Sequence, residues 1–89
     1  MYEITMTPKA KKELDKLSLK DFRRVDTAIW GLQQNPRPRG VKKLKGPIYR
    51  IRVGDWRVIY AVFDKDELVI VGKVERRSED TYDRLNELF

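Results

Sequence analysis

Ile48-Tyr49-Arg50-Ile51-Arg52-Val53-Gly54-Asp55-Trp56-Arg57-Val58-Ile59-Tyr60 reads as a β-hairpin. Two runs rich in β-branched and aromatic residues flank Gly54-Asp55, and glycine followed by aspartate suits a two-residue hairpin turn. With that turn setting the register, Val53 faces Trp56, Arg52 faces Arg57, Ile51 faces Val58, Arg50 faces Ile59 and Tyr49 faces Tyr60. Side chains alternate between the faces of a strand. One face therefore carries Tyr49, Ile51, Val53, Trp56, Val58 and Tyr60, and the other carries Arg50, Arg52 and Arg57 with Ile59 beside them. Like charges directly opposite each other destabilise a ladder, by about 0.2–1 kcal/mol for such cross-strand pairs. Folding alone does not select that arrangement. An anion lying across the arginine face would explain it.

Working outward, the segment before the hairpin is helical. Residues 2–6 alternate weakly and predict a short first strand. Thr7 then precedes Pro8, an N-cap followed by proline at the first helical position. A first helix is expected from Pro8 to about Leu17, with Ala10, Leu14 and Leu17 on its inner face. Ser18-Leu19-Lys20-Asp21 resembles a capping box with aspartate in place of glutamate. The second helix should run from Leu19 to about Gln34, because Phe22, Val25, Ile29 and Leu32 repeat at three and four. The two helices form an antiparallel hairpin with a very short connection. Trp30 lies off the buried stripe and is assigned to packing on the first helix, with a partner-binding patch as the alternative.

Asn35-Pro36-Arg37-Pro38-Arg39-Gly40 ends the helix. Residues 41–46 are too polar for a buried strand and are expected to form loop. After the hairpin, Asp64-Lys65-Asp66-Glu67 is a second turn, and Leu68-Val69-Ile70-Val71 is an apolar run suited to a strand inside a sheet. Lys73, Arg76 and Arg77 follow. Ser78 caps a last short helix over residues 79–89, with Tyr82, Leu85 and Phe89 on one face. The expected fold class is α+β. An N-terminal strand and a helical hairpin pack on a mainly antiparallel four-stranded sheet, in the order β-α-α-β-β-β with a short C-terminal helix, as a single domain over residues 1–89. The helices cover the face with Ile51, Val53, Trp56 and Val58, and the arginine face stays at least partly open.

Eighty-nine residues suffice for one modest core. The chain has no cysteine, which excludes disulfides and thiolate metal sites. It has no histidine either, which removes the commonest general base and metal ligand. Neither a metal nor any other cofactor is expected. No apolar run is long enough to span a membrane and no signal segment is visible, so a cytoplasmic protein is the expectation. The net charge is +6. Between residues 37 and 57 lie eight basic residues, Arg37, Arg39, Lys42, Lys43, Lys45, Arg50, Arg52 and Arg57, opposed only by Asp55. Such clustering points to nucleic acid or an acidic protein as partner.

The hairpin Tyr49-Arg50-Ile51-Arg52-Val53-Gly54-Asp55-Trp56-Arg57-Val58-Ile59-Tyr60 resembles the central hairpin of the RelE/ParE toxin superfamily. The preceding helical hairpin, Asn35-Pro36, Lys43-Leu44-Lys45-Gly46 and the late segment Val74-Glu75-Arg76-Arg77-Ser78-Glu79-Asp80-Thr81-Tyr82 fit the same pattern, so the likeness covers essentially the whole chain. It implies the toxin half of a type II toxin–antitoxin pair, with an acidic RelB-like antitoxin as partner. The RelE branch implies an endoribonuclease that cuts messenger RNA on the ribosome. The ParE branch implies a DNA gyrase inhibitor, and a catalytically inactive RNA-binding homologue is a third outcome. By the resemblance, the catalytic positions fall on Arg50, Arg52, Arg57, Arg76 or Arg77, and Tyr82. Arg50 and Arg52 stand where some members carry lysine, and the stretch from Gly72 to Tyr82 is longer than the common pattern.

RNA cleavage by the neighbouring 2′-hydroxyl needs a base, charge stabilisation of the phosphorane-like transition state, and an acid for the leaving 5′-oxygen. Guanidinium forks match phosphate oxygens and supply the second need. Arginine stays protonated, with pKa above about 12, and is a poor base. Tyr82, Lys73 and Glu75 are the candidate bases. Tyr82 equally suits stacking on a nucleobase or a place in the core. Arg37, Arg39, Lys42, Lys43, Lys45 and Lys73 are candidate RNA-binding residues that contact phosphate without reading sequence.

Overall fold

The computed structural model describes residues 1–76. Its order is β1 (Glu3–Met6), α1 (Pro8–Asp15), α2 (Leu19–Gly31), β2 (Lys42–Lys45), β3 (Ile48–Val53), β4 (Trp56–Phe63) and β5 (Leu68–Arg76). The helix expected over residues 79–89, Arg77 and Tyr82 lie outside the described residues.

Both helices start where their caps predict. Thr7 Oγ1 accepts from the Ala10 N–H at 3.2 Å, and Ser18 Oγ accepts from the Asp21 N–H at 3.3 Å. Each bond satisfies a backbone donor that the first helical turn leaves without a partner. The inner stripe is buried as expected: Ala10 and Leu14 on α1, Val25 and Ile29 on α2, and Leu32 just beyond.

The sheet has five strands in the order β1-β5-β4-β3-β2. It is mixed: β1 runs parallel to β5, and the other pairs are antiparallel. The β3–β4 register is the one expected from the Gly54-Asp55 turn, from Val53↔Trp56 through Tyr49↔Tyr60. Gly54 has φ +60° and Asp55 a negative φ, the signature of a type II′ turn.

The fifth strand was not expected. Residues 42–45 pair with β3 even though three of the four are lysines. Polarity argued only against a buried strand. At a sheet edge, lysines are favoured because they discourage pairing with another chain. Leu44 is the extra residue of a bulge between Lys43 and Lys45, and it packs against Ile48, Ile59 and Ala61.

One face of the sheet carries the main core. Ile51, Val58, Tyr60, Val62, Val69, Val71 and Val74 pack there against the helices. Tyr60 Oη donates to the Pro36 carbonyl at 2.7 Å, which fixes the loop after α2 to the central strand. Burial pushes the Tyr60 phenol well above its usual range. Trp30 does not join the core. It is 50% exposed and its Nε1 donates to Asp26 one turn earlier. Its indole lies at the surface of α2, held by this bond within its own helix.

Candidate nucleic-acid interface

The site is built on the sheet face turned away from the helices. Two cross-strand rows define it. Arg52 on β3, Arg57 on β4 and Glu75 on β5 form one row. Lys42, Arg50, Ile59 and Lys73 form the next, one strand after another. Cross-strand neighbours have Cβ atoms roughly 4.5–5.5 Å apart.

A bulge creates this arrangement. Ile59 pairs with Lys73 but Tyr60 pairs with Val71, leaving Gly72 as the extra residue. An extra residue shifts the side-chain alternation by one. It sends Val74 into the core and turns Glu75 onto the arginine face. The strict alternation of an unbulged strand would do the reverse.

Arg52 and Arg57 are therefore not alone in their row, since Arg57 has the acidic residue Glu75 as its neighbour on the other side. The face is also less open than expected. Ile59 is fully buried, and Arg50, Lys73 and Glu75 are 8%, 7% and 1% exposed. Arg57 is half-buried, and of the three hairpin arginines Arg52 alone is exposed.

The edge of β5 is held from α1. Beyond Met6 the first strand no longer accompanies β5. Glu13 takes its place: Oε1 accepts from the Val74 N–H at 3.0 Å and Oε2 accepts from Lys73 Nζ at 2.8 Å. Lys73 is thus tied to the strand edge by an ion pair.

Several sequence candidates lie elsewhere. Arg37 is a structural clamp. Its guanidinium donates to both Asp64 carboxylate oxygens, at 3.0 and 2.7 Å, and to Tyr49 Oη at 3.0 Å, with its charge 5.1 Å from the Tyr49 ring centre. This partner holds the Asp64 carboxyl below the usual carboxylate range, while the Asp64 bond raises the Tyr2 phenol. Arg76 sits opposite Trp56 with its guanidinium 4.9 Å from the ring centre, on the helix side of the sheet. Lys43 pairs with Tyr49 and also faces away from the arginines, whereas Lys42 and Lys45 share their face. Arg39 lies on the loop after α2, where it lines a cleft together with Arg52. Sequence reasoning missed Glu13 because nothing local ties it to residues sixty positions away.

The sequence and the overall fold match known proteins. The family model for the ParE toxin of type II toxin–antitoxin systems matches residues 4–81. A toxin candidate named RelE1 from Methanocaldococcus jannaschii is 38% identical over 71 residues, covering 74% of this chain and 76% of its own. The RelE of the archaeal RelE–RelB complex from Pyrococcus horikoshii is 32% identical, with a TM-score of 0.80 over 89% of this chain and 98% of that one. The isolated RelE toxin of E. coli shares the fold, with a TM-score of 0.77 at 22% identity over 98% and 97% of the two chains. Two α-helices packed on a mixed sheet, the central arginine-bearing hairpin and these matches lead to one assignment: the chain belongs to the RelE/ParE toxin superfamily of type II toxin–antitoxin systems.

Proposed function

We propose that this toxin is a ribosome-dependent endoribonuclease that cleaves messenger RNA by metal-free attack of the 2′-hydroxyl, and that an acidic RelB-like antitoxin restrains it. The observation that carries this function is the Arg52–Arg57–Glu75 row, with Arg50 in the row beside it. A phosphodiester lying on that row would have the Arg57 guanidinium against its non-bridging oxygens. As the 2′-oxygen attacks, negative charge grows on those oxygens, and a fixed guanidinium stabilises it more in the transition state than in the ground state. The 2′-hydroxyl gives up its proton as the P–O2′ bond forms. The P–O5′ bond breaks and the departing 5′-oxygen takes up a proton, leaving a 2′,3′-cyclic phosphate and a 5′-hydroxyl with no net proton change. Glu75 sits across from Arg57 and gives the guanidinium a fixed electrostatic setting. The likeness to a RelE crystallised with RelB supports the antitoxin as partner.

Gyrase inhibition is the second function to test, favoured by the match to the ParE family model. The deciding experiment is induced expression with separate readouts of translation and of DNA supercoiling. Nuclease action predicts a rapid arrest of translation, new 5′-hydroxyl ends on messenger RNA, and unchanged supercoiling. Loss of supercoiling with translation intact would replace the nuclease with the gyrase poison.

A further inference from the structure

Beyond the arginine row, Arg39 and Arg52 line the seam between α2 and the outer edge of β3, and Arg24 and Lys20 continue it along α2. The last residue of β3 paired with β2 is Arg50, opposite Lys42. Residues 51–53 therefore have no strand on that side among the described residues. Between this edge and α2 lies a cleft of about 460 Å³. Its walls are largely apolar, from Ala28, Leu32, Ile51 and Val53, and its charged lining residues are Arg39 and Arg52. Arg24 lies one turn before Ala28 on α2 and reaches the tip of the β3–β4 hairpin. A β-carbon at residue 54 would stand only 2.8 Å from its Nη2. Lys20 lies one turn further along the same helix face.

None of Lys20, Arg24, Arg39 and Arg52 has an ion pair or side-chain hydrogen bond to a described residue. Arg37 and Lys73, by contrast, are held by carboxylates. Asp55 stands at the same hairpin tip as Arg24 and opposes it in charge. Among the described residues, none of these four cations is held by a carboxylate, that of Asp55 included, at ion-pair distance. The seam meets the arginine row at Arg52, which lines the cleft and also lies directly opposite Arg57.

We propose that this seam is a backbone track for single-stranded RNA, in which Arg39, Arg52, Arg24 and Lys20 hold the phosphates flanking the one that is cleaved. The inference rests on the nuclease function above and extends its site around the hairpin tip onto α2. RNA crossing Arg57 leaves the sheet over the free edge of β3, and there it meets these cations. Continuity with the Arg57 row favours RNA over an acidic peptide. Contacts of this kind set affinity and position without reading sequence. Arg24 and Lys20 are binding residues and take no part in the chemistry.

The test uses the full-length toxin, a labelled single-stranded RNA oligonucleotide, and ribosomes programmed with a short messenger. Arg24→Gln should lower the slope of log affinity against log salt by about 0.7, the loss of one phosphate contact on a single strand. Arg24→Gln combined with Arg39→Gln should lower it by roughly twice that. On programmed ribosomes KM should rise several-fold with kcat unchanged, and Arg24→Lys should restore most of the slope. Thermal melting of each variant separates this from the packing of Arg24 on Gly54: a merely structural role would lower the melting temperature and leave the salt slope as it was. An unchanged slope in Arg24→Gln overturns the inference. So does a loss confined to binding of an acidic antitoxin, which would make the seam a protein site. If the wild type binds RNA with the expected slopes but cleaves no messenger, the nuclease function fails and the track stands.

Discussion

Gly54 is constrained twice. Its φ of +60° is one that residues with a β-carbon adopt at a cost, and a β-carbon there would press on the Arg24 guanidinium. The far end of an arginine can yield, so the backbone term decides the outcome. Gly54→Ala should destabilise the fold by about 1–2 kcal/mol, read as a lower denaturation midpoint at unchanged m-value. Arg57 makes the opposite case, a residue whose loss matters for chemistry more than for folding. It is half-buried on the arginine face, and its removal ends the like-charge pair with Arg52 while taking the cation from beside the buried Glu75, so the two effects on folding oppose each other. Arg57→Ala should therefore remain folded and lose on the order of 10²–10³ in cleavage rate. A folded variant that arrests growth at wild-type dose would count against the nuclease. Asp64 gives a pH signature. Its hydrogen bonds to Arg37 and Tyr2 hold its carboxyl below the ordinary value of 3.8. Their contribution to stability is complete above that value and disappears as the pH falls through it towards the depressed folded-state value. Because Asp64 is exposed, the effect is small. Comparing acid unfolding of the wild type and Asp64→Asn should show this limb of the pH profile in the wild type only.

At the scale of elements, β5 is where the fold makes the site. Its first half is an interior strand between β1 and β4, and its second half has β4 on one side and Glu13 on the other. A carboxylate on α1 thus completes the hydrogen bonding of a strand edge and couples the helical hairpin to the arginine face. Glu13→Ala removes the acceptor of both Val74 N–H and Lys73 Nζ. It should cost about 2 kcal/mol, in the range of hydrogen bonds to charged groups. Glu13→Gln keeps an acceptor for the N–H and should recover part of that loss. Hydrogen exchange at Val74 provides the local check: its amide should exchange faster in Glu13→Ala and close to normally in Glu13→Gln.

At the scale of the whole molecule, charge governs association. The net charge of +6 is spread over both sides of the sheet. On the helical side, Lys9, Lys11, Lys12, Lys16, Lys20 and Arg23 are all exposed. Some cations are internally engaged, Arg37 and Lys73 among them, so phosphate contacts are fewer than basic residues. With about six contacts to RNA, ribosome association should weaken roughly 10²–10³-fold between 50 and 200 mM salt. Sedimentation with ribosomes across that range tests it. A flat response would mean that apolar contacts dominate, and the exposed Trp30 would then be the first residue to examine.

The sequence by itself determined the helices with their caps, the β3–β4 register and the arginines sharing one face. Each of these is local: an N-cap acts within three residues, a two-residue turn fixes its hairpin, and alternation then sorts the side chains. The tertiary structure decided what depends on distant partners. The lysine-rich strand β2 forms because a neighbouring strand accepts it, and Trp30 stays exposed on α2 instead of packing on α1. The bulge at Gly72 is the clearest case. Strict alternation along β5 would bury Glu75 among valines and turn Val74 away from them. The core accepts Val74 and excludes the carboxylate, so the strand takes up one residue at the glycine, which bears no side chain. That adjustment of β5 against β4, made to suit the core beneath both strands, is what places Glu75 beside Arg57.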